Sequence, residues 1–207
     1  MLVISADEQQ IAASTIGHYD TRARAYWEGT RDHDVSQNIQ ALLHSIEAPP
    51  PFTILDVGCG PGRDLIAFKE LGHNVIGLDG SAQFVAMAAA YSGCEVWQQD
   101  LMQLSLPPAH FDGIFANAVL FHVPTSALPQ VLGELKRSLK PGGVLFSSNP
   151  LGNDQAGWNA ARYGVYHSLA GWRRFVTAAG FIEVTHYYRP PEAPQWLASV
   201  WRKPALR

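Results

Sequence analysis

Hydrophobic positions in the first fifty residues recur at helical spacing. From residue 52 onward they gather instead into short apolar runs that alternate with helical stretches. Residues 15–28 carry Ile16, Tyr19, Ala23, Tyr26 and Trp27 at near-helical intervals, and 36–46 repeat with Ile39, Leu42, Leu43 and Ile46, so both segments predict helices. The polar segment 29–38 between them reads either as a solvated loop in which Asp34 or Ser36 caps the next helix, or as a lid over a ligand site. Pro49, Pro50 and Pro51 cannot continue a helix and hand the chain to the first strand.

Strands are predicted at 52–57, 73–78, 94–98, 111–116 and 144–148, with helices at 64–71, 81–91 and 126–139 between them. This strand and helix alternation argues for an α/β fold with a parallel sheet covered on both faces. Beyond Pro150 the pattern changes to a polar, glycine-rich stretch, followed by Tyr163, Tyr166, His167 and Trp172. That stretch reads as a loop whose aromatic cluster either lines a substrate pocket or forms a satellite core. A helix over 168–179 is capped by Gly180. Two alternating apolar strands follow at 181–189 and 195–202, joined by the proline-rich segment 190–194.

The first strand breaks into Gly58, Gly60 and Gly62 before a helical pattern, which is a strand, a tight turn and a helix N-terminus. The third glycine comes one residue too early for the dinucleotide fingerprint. Asp56, two residues before the first glycine, would repel a pyrophosphate but could bind an ammonium. The second strand ends in Asp79-Gly80-Ser81, at close to the ~20-residue offset where an acidic residue meets a ribose; the alternative for Asp79 is a helix cap. Asp100 and Leu101 close the third strand in a manner suited to an adenine, or as an ordinary turn. Asn117 stands at the C-terminal edge of the fourth.

The segment from Asp56 to Gly62 resembles the glycine-rich motif of class I S-adenosylmethionine-dependent methyltransferases. The resemblance implies a Rossmann-like, doubly wound sheet of seven strands, mostly parallel, closed by an antiparallel C-terminal hairpin and with helices on both faces. It also implies S-adenosyl-L-methionine as cofactor. Asp56, Gly58 and Gly60 would then hold its amino-acid end, Asp79 and Gly80 its ribose, and Asp100 with Leu101 its adenine. Asn117 would lie nearest the donor or substrate, and Arg63 would pair with the cofactor carboxylate. Tyr19, Asp20, Ala23 and Tyr26 resemble a Tyr-Asp-x-x-Ala-x-x-Tyr pattern in which the helix folds over the donor, so that tyrosine faces can stabilise the sulfonium. Methyl transfer of this kind needs alignment rather than a metal.

The chain has 207 residues, 47% hydrophobic and 16% charged, which suits one domain. Within it, 1–50 is expected to form a helical lid, 51–150 the cofactor-binding core, and 151–207 a substrate-side loop and closing strands. A net charge of −3 and a pI near 6.2 argue against a nucleic-acid binder. No apolar run is long enough to span a membrane, and the N-terminus lacks a secretory pattern, so a cytoplasmic protein is expected, as a monomer or homodimer. Cys59 and Cys94 suggest neither a disulfide framework nor a zinc site. Should a base be required, His33, Asp34, His122 and His167 are candidates, with Tyr26 at the reacting centre; His122 also reads as a packed core residue. The competing readings are an NAD(P)-dependent oxidoreductase and a non-catalytic S-adenosylmethionine-binding protein. The leading one is methyl transfer to a small-molecule acceptor, with neither nucleic acid nor membrane as partner.

Overall fold

A computed structural model describes residues 4–193 and 195–205. Pro194 of the expected linker and the outermost residues of the expected single unit lie outside that range. Helix α1 (Ala6–Thr30) begins well before the predicted 15–28, because Ser5 and Glu8 form a reciprocal capping box. The early turns bury little beyond Ala12, and so carry no strong periodic signal. The helix kinks at Arg22 (φ −121°, ψ 15°). Just before the kink, the Thr21 hydroxyl donates to the Gly17 and His18 carbonyls, a back-bond that commonly bends helices. Helix α2 (Ser36–Leu43) lacks a side-chain cap, though the Asp34 carboxylate accepts from the Ser36 N–H at 2.9 Å.

Strands β1 (Thr53–Val57), β2 (Asn74–Asp79), β3 (Glu95–Gln98) and β4 (Phe111–Asn117) alternate with helices α3 (Arg63–Glu70) and α4 (Ala82–Ser92) and with a 3₁₀ turn at Leu101–Gln103. Helix α5 (Leu128–Ser138) then leads to β5 (Leu139–Pro150). Residues 140–143, between the expected helix and the expected strand, lie inside β5, as an irregularity beside the register shift at Phe111/Gly113. The loop expected after Pro150 is instead a two-stranded hairpin, β6 (Gln155–Asn159) and β7 (Arg162–Tyr166). Helix α6 (Leu169–Ala178) and strands β8 (Ile182–Arg189) and β9 (Trp196–Arg202) complete the chain.

The large sheet runs β3-β2-β1-β4-β5-β9-β8. Its first five strands pair in parallel, and β9 pairs antiparallel with both β5 and β8. This is the Rossmann-like, doubly wound arrangement expected from the resemblance. Alternation along the strands feeds two cores: Leu55 and Val57 with Ile114 and Ala116 pack on one face, Ile54 and Phe115 on the other. Under the C-terminal strands, the indole N–H groups of Trp172 and Trp201 both donate to the Ser199 hydroxyl, at 3.1 and 2.8 Å. Ser147 bonds the same oxygen at 3.0 Å, so one hydroxyl serves both indoles and a neighbouring serine.

Strand order reverses between β1 and β4, and the carboxyl ends of these strands open a crevice there, as open α/β sheets do. Helix α1 and the β6–β7 hairpin arch over it: the Tyr163 N–H donates to Thr15 Oγ1 at 3.1 Å, and Ser14 donates to the Ala161 carbonyl at 3.0 Å.

Candidate active site

The turn after β1 depends on glycine for two separate reasons. Gly58 has φ +69°, and a Cβ there would come within 2.3 Å of Val119 Cγ2. Gly62 has φ +93°, and a Cβ there would meet the Ala88 backbone of α4 at 2.8 Å. Only glycine allows both the left-handed turns and the close approach of α4. The Gly60 N–H donates to Asp79 Oδ2 at 3.0 Å, and the Ser81 N–H to Oδ1 at 2.9 Å. Asp79 therefore ties the β2 end to the loop, while Ser81, not Asp79, is the N-cap of α4.

Three carboxylates surround this loop, opposed at close range by Arg63. Asp56 is 1% exposed, and its Oδ2 has no hydrogen-bond partner. Burial pushes its carboxyl well above the ordinary range; the charge on Asp64 adds to this, Arg63 opposes it, and Asp79 contributes in turn. Burial likewise raises Asp79 to about 6, against the lowering effect of three backbone N–H groups. An orphaned buried carboxylate oxygen among acidic neighbours fits a cationic ligand such as an ammonium. Cys59 is buried and its thiol is pushed up, so it is a small residue in a tight loop rather than a nucleophile.

Two cavities meet above the loop. The first, of about 710 Å³ including open solvent, is lined by Asp79, Gly80, Phe84, Asp100, Leu101 and His122, among others. The second, of about 1830 Å³ including open solvent, is lined by His33, Asn38, Arg63, Asn117, Arg162 and Arg189, among others. Tyr19, Tyr26, Gly58, Gly60 and Ala118 belong to both. Asp56 lies on neither wall; it sits beneath the loop. Asp100 caps the 3₁₀ turn, accepting from the Met102 N–H at 3.0 Å.

The tyrosine pattern of α1 has a structural explanation. Tyr19 and Tyr26, two turns apart, face the cavities and contact Phe84 at centroid distances of 5.6 and 5.2 Å. Asp20 points to α4, where its Oδ1 accepts from the Ser81 hydroxyl at 2.5 Å and from the Gln83 N–H at 3.1 Å. Ala23 is buried.

His122 Nδ1 lies 2.5 Å from the Tyr163 carbonyl, and its Nε2 lies 2.9 Å from the Tyr19 hydroxyl. A carbonyl only accepts, so Nδ1 carries the proton and Nε2 accepts from Tyr19. Burial holds this imidazole down to about 4, and burial raises Tyr19 and pushes Tyr26 up to about 12. The group is thus a neutral latch between α1 and the hairpin. His33 is exposed at the rim of the second cavity. His167 is buried against Trp172 and Phe175 and lines neither cavity, which removes it from the expected bases.

The Arg63 fork is engaged by Asp64 at 2.7 and 3.0 Å and by the Thr30 carbonyl at 2.8 Å, not held open for a ligand carboxylate. Sequence reasoning missed Asn38, Arg162 and Arg189. Asn38 Nδ2 donates to Asn117 Oδ1 at 2.9 Å, and Asn38 Oδ1 accepts from Tyr187 at 2.8 Å and from Arg189 at 3.2 Å. The polar interruption of an otherwise apolar stripe in α2 was the available signal.

The sheet order, the glycine loop and the acidic strand ends are those expected from the methyltransferase resemblance, and comparison with known proteins finds the same likeness. Residues 54–143 match the model of a methyltransferase domain. A 2-methyl-6-phytyl-1,4-hydroquinone methyltransferase of Synechocystis is 31% identical over 176 residues, 74% of this chain and 55% of that protein. A trans-aconitate 2-methyltransferase of Deinococcus radiodurans is 33% identical over 152 residues, 70% of this chain and 56% of its own length. The chain therefore spans about half the length of these relatives. Among solved structures, the 1,6-didemethyltoxoflavin-N1-methyltransferase of Burkholderia thailandensis, with bound 1,6-didemethyltoxoflavin and S-adenosylhomocysteine, superposes with a TM-score of 0.79 at 23% identity, covering 99% of this chain and 93% of that one. Residues 54–143 are thus similar to a methyltransferase domain, and the chain resembles class I S-adenosylmethionine-dependent methyltransferases in sequence and in fold.

Proposed function

We propose that this chain transfers a methyl group from S-adenosylmethionine to a small-molecule acceptor. The observation that carries the reading is the junction of two cavities at Tyr19, Tyr26 and the glycine loop, above an orphaned, buried Asp56. Asp56 and the backbone of Gly58 and Gly60 would hold the donor's amino-acid end. Asp79, beside Gly80, would accept from its ribose hydroxyls, and Asp100 with Leu101 would meet its adenine. When bound, the donor supplies a methyl group on cationic sulfur; the carbon–sulfur bond breaks with its electron pair left on sulfur, and an acceptor lone pair forms the new bond.

The chain's own contribution is positional. Tyr19 and Tyr26 present aromatic faces where the positive charge would lie, an attraction of ~1–2 kcal/mol when desolvated. Helix α1 and the hairpin exclude water, and Asn117 and Asn38 face the acceptor side. His122, neutral and with both nitrogens engaged, positions Tyr19 and takes no proton; His33, at the rim, is free to receive one from the acceptor. The N-terminal helices, the core and the closing strands act as one unit in this reading. No described helix is long and apolar enough to cross a membrane, and we place the activity in the cytoplasm, in a monomer or homodimer without nucleic-acid partners. The relatives' named substrates support a small acceptor.

Incubation with methyl-labelled S-adenosylmethionine and a panel of small acceptors tests the proposal. Labelled product and S-adenosylhomocysteine should appear in equal amounts. Tight binding of S-adenosylhomocysteine with no labelled product from any acceptor would favour a non-catalytic binding protein.

A further inference from the structure

The second cavity contains two cationic side chains without an acidic partner. Arg63, which also lines it, is neutralised by Asp64. Among the described residues, neither Arg162 nor Arg189 makes an ion pair with a carboxylate. Arg189 is fixed by neutral acceptors, with Nη1 on Asn38 Oδ1 at 3.2 Å and Nη2 on the Asp34 carbonyl at 3.1 Å. Asn38 is 3% exposed and itself anchored to Asn117, so the guanidinium is held in place before any ligand arrives.

Arg162, on the β6–β7 hairpin, is half-buried, and its Nε is buried with no hydrogen-bond partner. Its guanidinium lies 5.8 Å from the centre of the Tyr19 ring, at the junction of the two cavities. Of the acids that share this wall, Asp64 is forked to Arg63 and exposed Asp32 pairs with Arg31 at 3.4 Å. The exposed Asp34 carboxylate accepts from the Ser36 N–H and feels the charge of Arg189 without forming an ion pair with it.

A buried guanidinium N–H without an acceptor costs free energy, which an incoming oxyanion would offset. The planar fork of arginine matches a carboxylate in shape as well as charge. We infer that the methyl acceptor is a small carboxylate whose anionic group is held by Arg162 and Arg189, an inference that rests on the methyltransferase reading above. The charges are then complementary across the junction. The acidic loop faces the cationic donor, and the two guanidiniums face the anionic acceptor.

Calorimetric titration of the protein saturated with S-adenosylhomocysteine tests this, with sodium succinate, benzoate and citrate compared with succinamide, benzamide and sodium phosphate at equal ionic strength. At least one carboxylate should bind saturably while the matched amides do not. Arg162→Gln and Arg189→Gln should each weaken it about tenfold or more, the loss of one charge-assisted hydrogen bond. Arg189→Lys should recover part of that affinity, and S-adenosylhomocysteine binding should stay within about threefold in all variants. Equal binding of amides and carboxylates, or stronger binding of phosphate, would overturn the inference. So would variants that lose S-adenosylhomocysteine instead, which would assign the guanidiniums to the donor. Failure of the unmodified protein to bind S-adenosylhomocysteine at all would strike the underlying methyltransferase reading, a separate result.

Discussion

Asp79 is a structural side chain to which the proposed function also assigns a part in binding. It accepts from the Gly60 and Ser81 N–H groups, yet burial still raises it to about 6. The folded chain therefore keeps this proton over a range where the unfolded chain, with a pKa near 4, has lost it. Linkage then gives a contribution to stability that falls as pH rises from about 4 to about 6, by about 3 kcal/mol. Asp56, also raised by burial, acts in the same direction. Ligand binding has the opposite sign, because donors that bond the carboxylate form favour its ionisation. Affinity for S-adenosylhomocysteine should drop as pH falls from 7 to 5 and should do so less steeply in Asp79→Asn; an affinity flat over that range in the unmodified protein would remove Asp79 from the binding site. Asp79 and Asp100 were legible in the sequence because each ends a strand whose apolar run marks it. Asn38, Arg162 and Arg189 were not, because a side chain in α2, one at the start of β7 and one at the end of β8 converge only through the tertiary fold.

At the scale of elements, α1 is joined to the rest of the site through few but specific contacts. Tyr19 bonds His122, Thr15 bonds Tyr163, and Asp20 bonds the N-terminus of α4. Tyr19→Phe removes one donor and leaves His122 Nε2 buried and unpaired, a cost of about 1–3 kcal/mol. Most of that loss should appear as faster amide exchange in α1 and the β6–β7 hairpin, with the central strands unchanged. Uniform loss of protection would mean that the helix is part of the core rather than a cover. His122 is held near 4 by burial, so turnover should show no titration from it near neutral pH. The core strands were predictable because each is a local apolar run bounded by turn residues. The hairpin was not, since Gly152, Asn153, Asp154, Gly157 and Asn159 signal a loop and its strands lack apolar alternation. Its pairing depends instead on α1 and on the turn at Phe121 and His122, against which β7 packs.

At the scale of the whole molecule, the strand reversal between β1 and β4 places the glycine loop, and α1 with the hairpin encloses the space above it. The seven-stranded order β3-β2-β1-β4-β5-β9-β8 follows from the chain's alternation and from its resemblance to a known family. The division into two cavities follows from neither, since it depends on where Tyr19 and Tyr26 of α1 come to rest. A ligand held between the glycine loop, α1 and the hairpin should stabilise the fold as a unit. At an excess of ~100 times the dissociation constant the gain is ~2.7 kcal/mol, a rise of several degrees in Tm. The most direct test of the central claim is calorimetric titration of the purified protein with S-adenosylhomocysteine, NAD and NADP, repeated on Asp79→Ala. We expect S-adenosylhomocysteine alone to bind, and Asp79→Ala to weaken it by about tenfold or more while remaining folded. Binding of a nicotinamide dinucleotide in its place, or an unchanged affinity in Asp79→Ala, would contradict the assignment of this cleft.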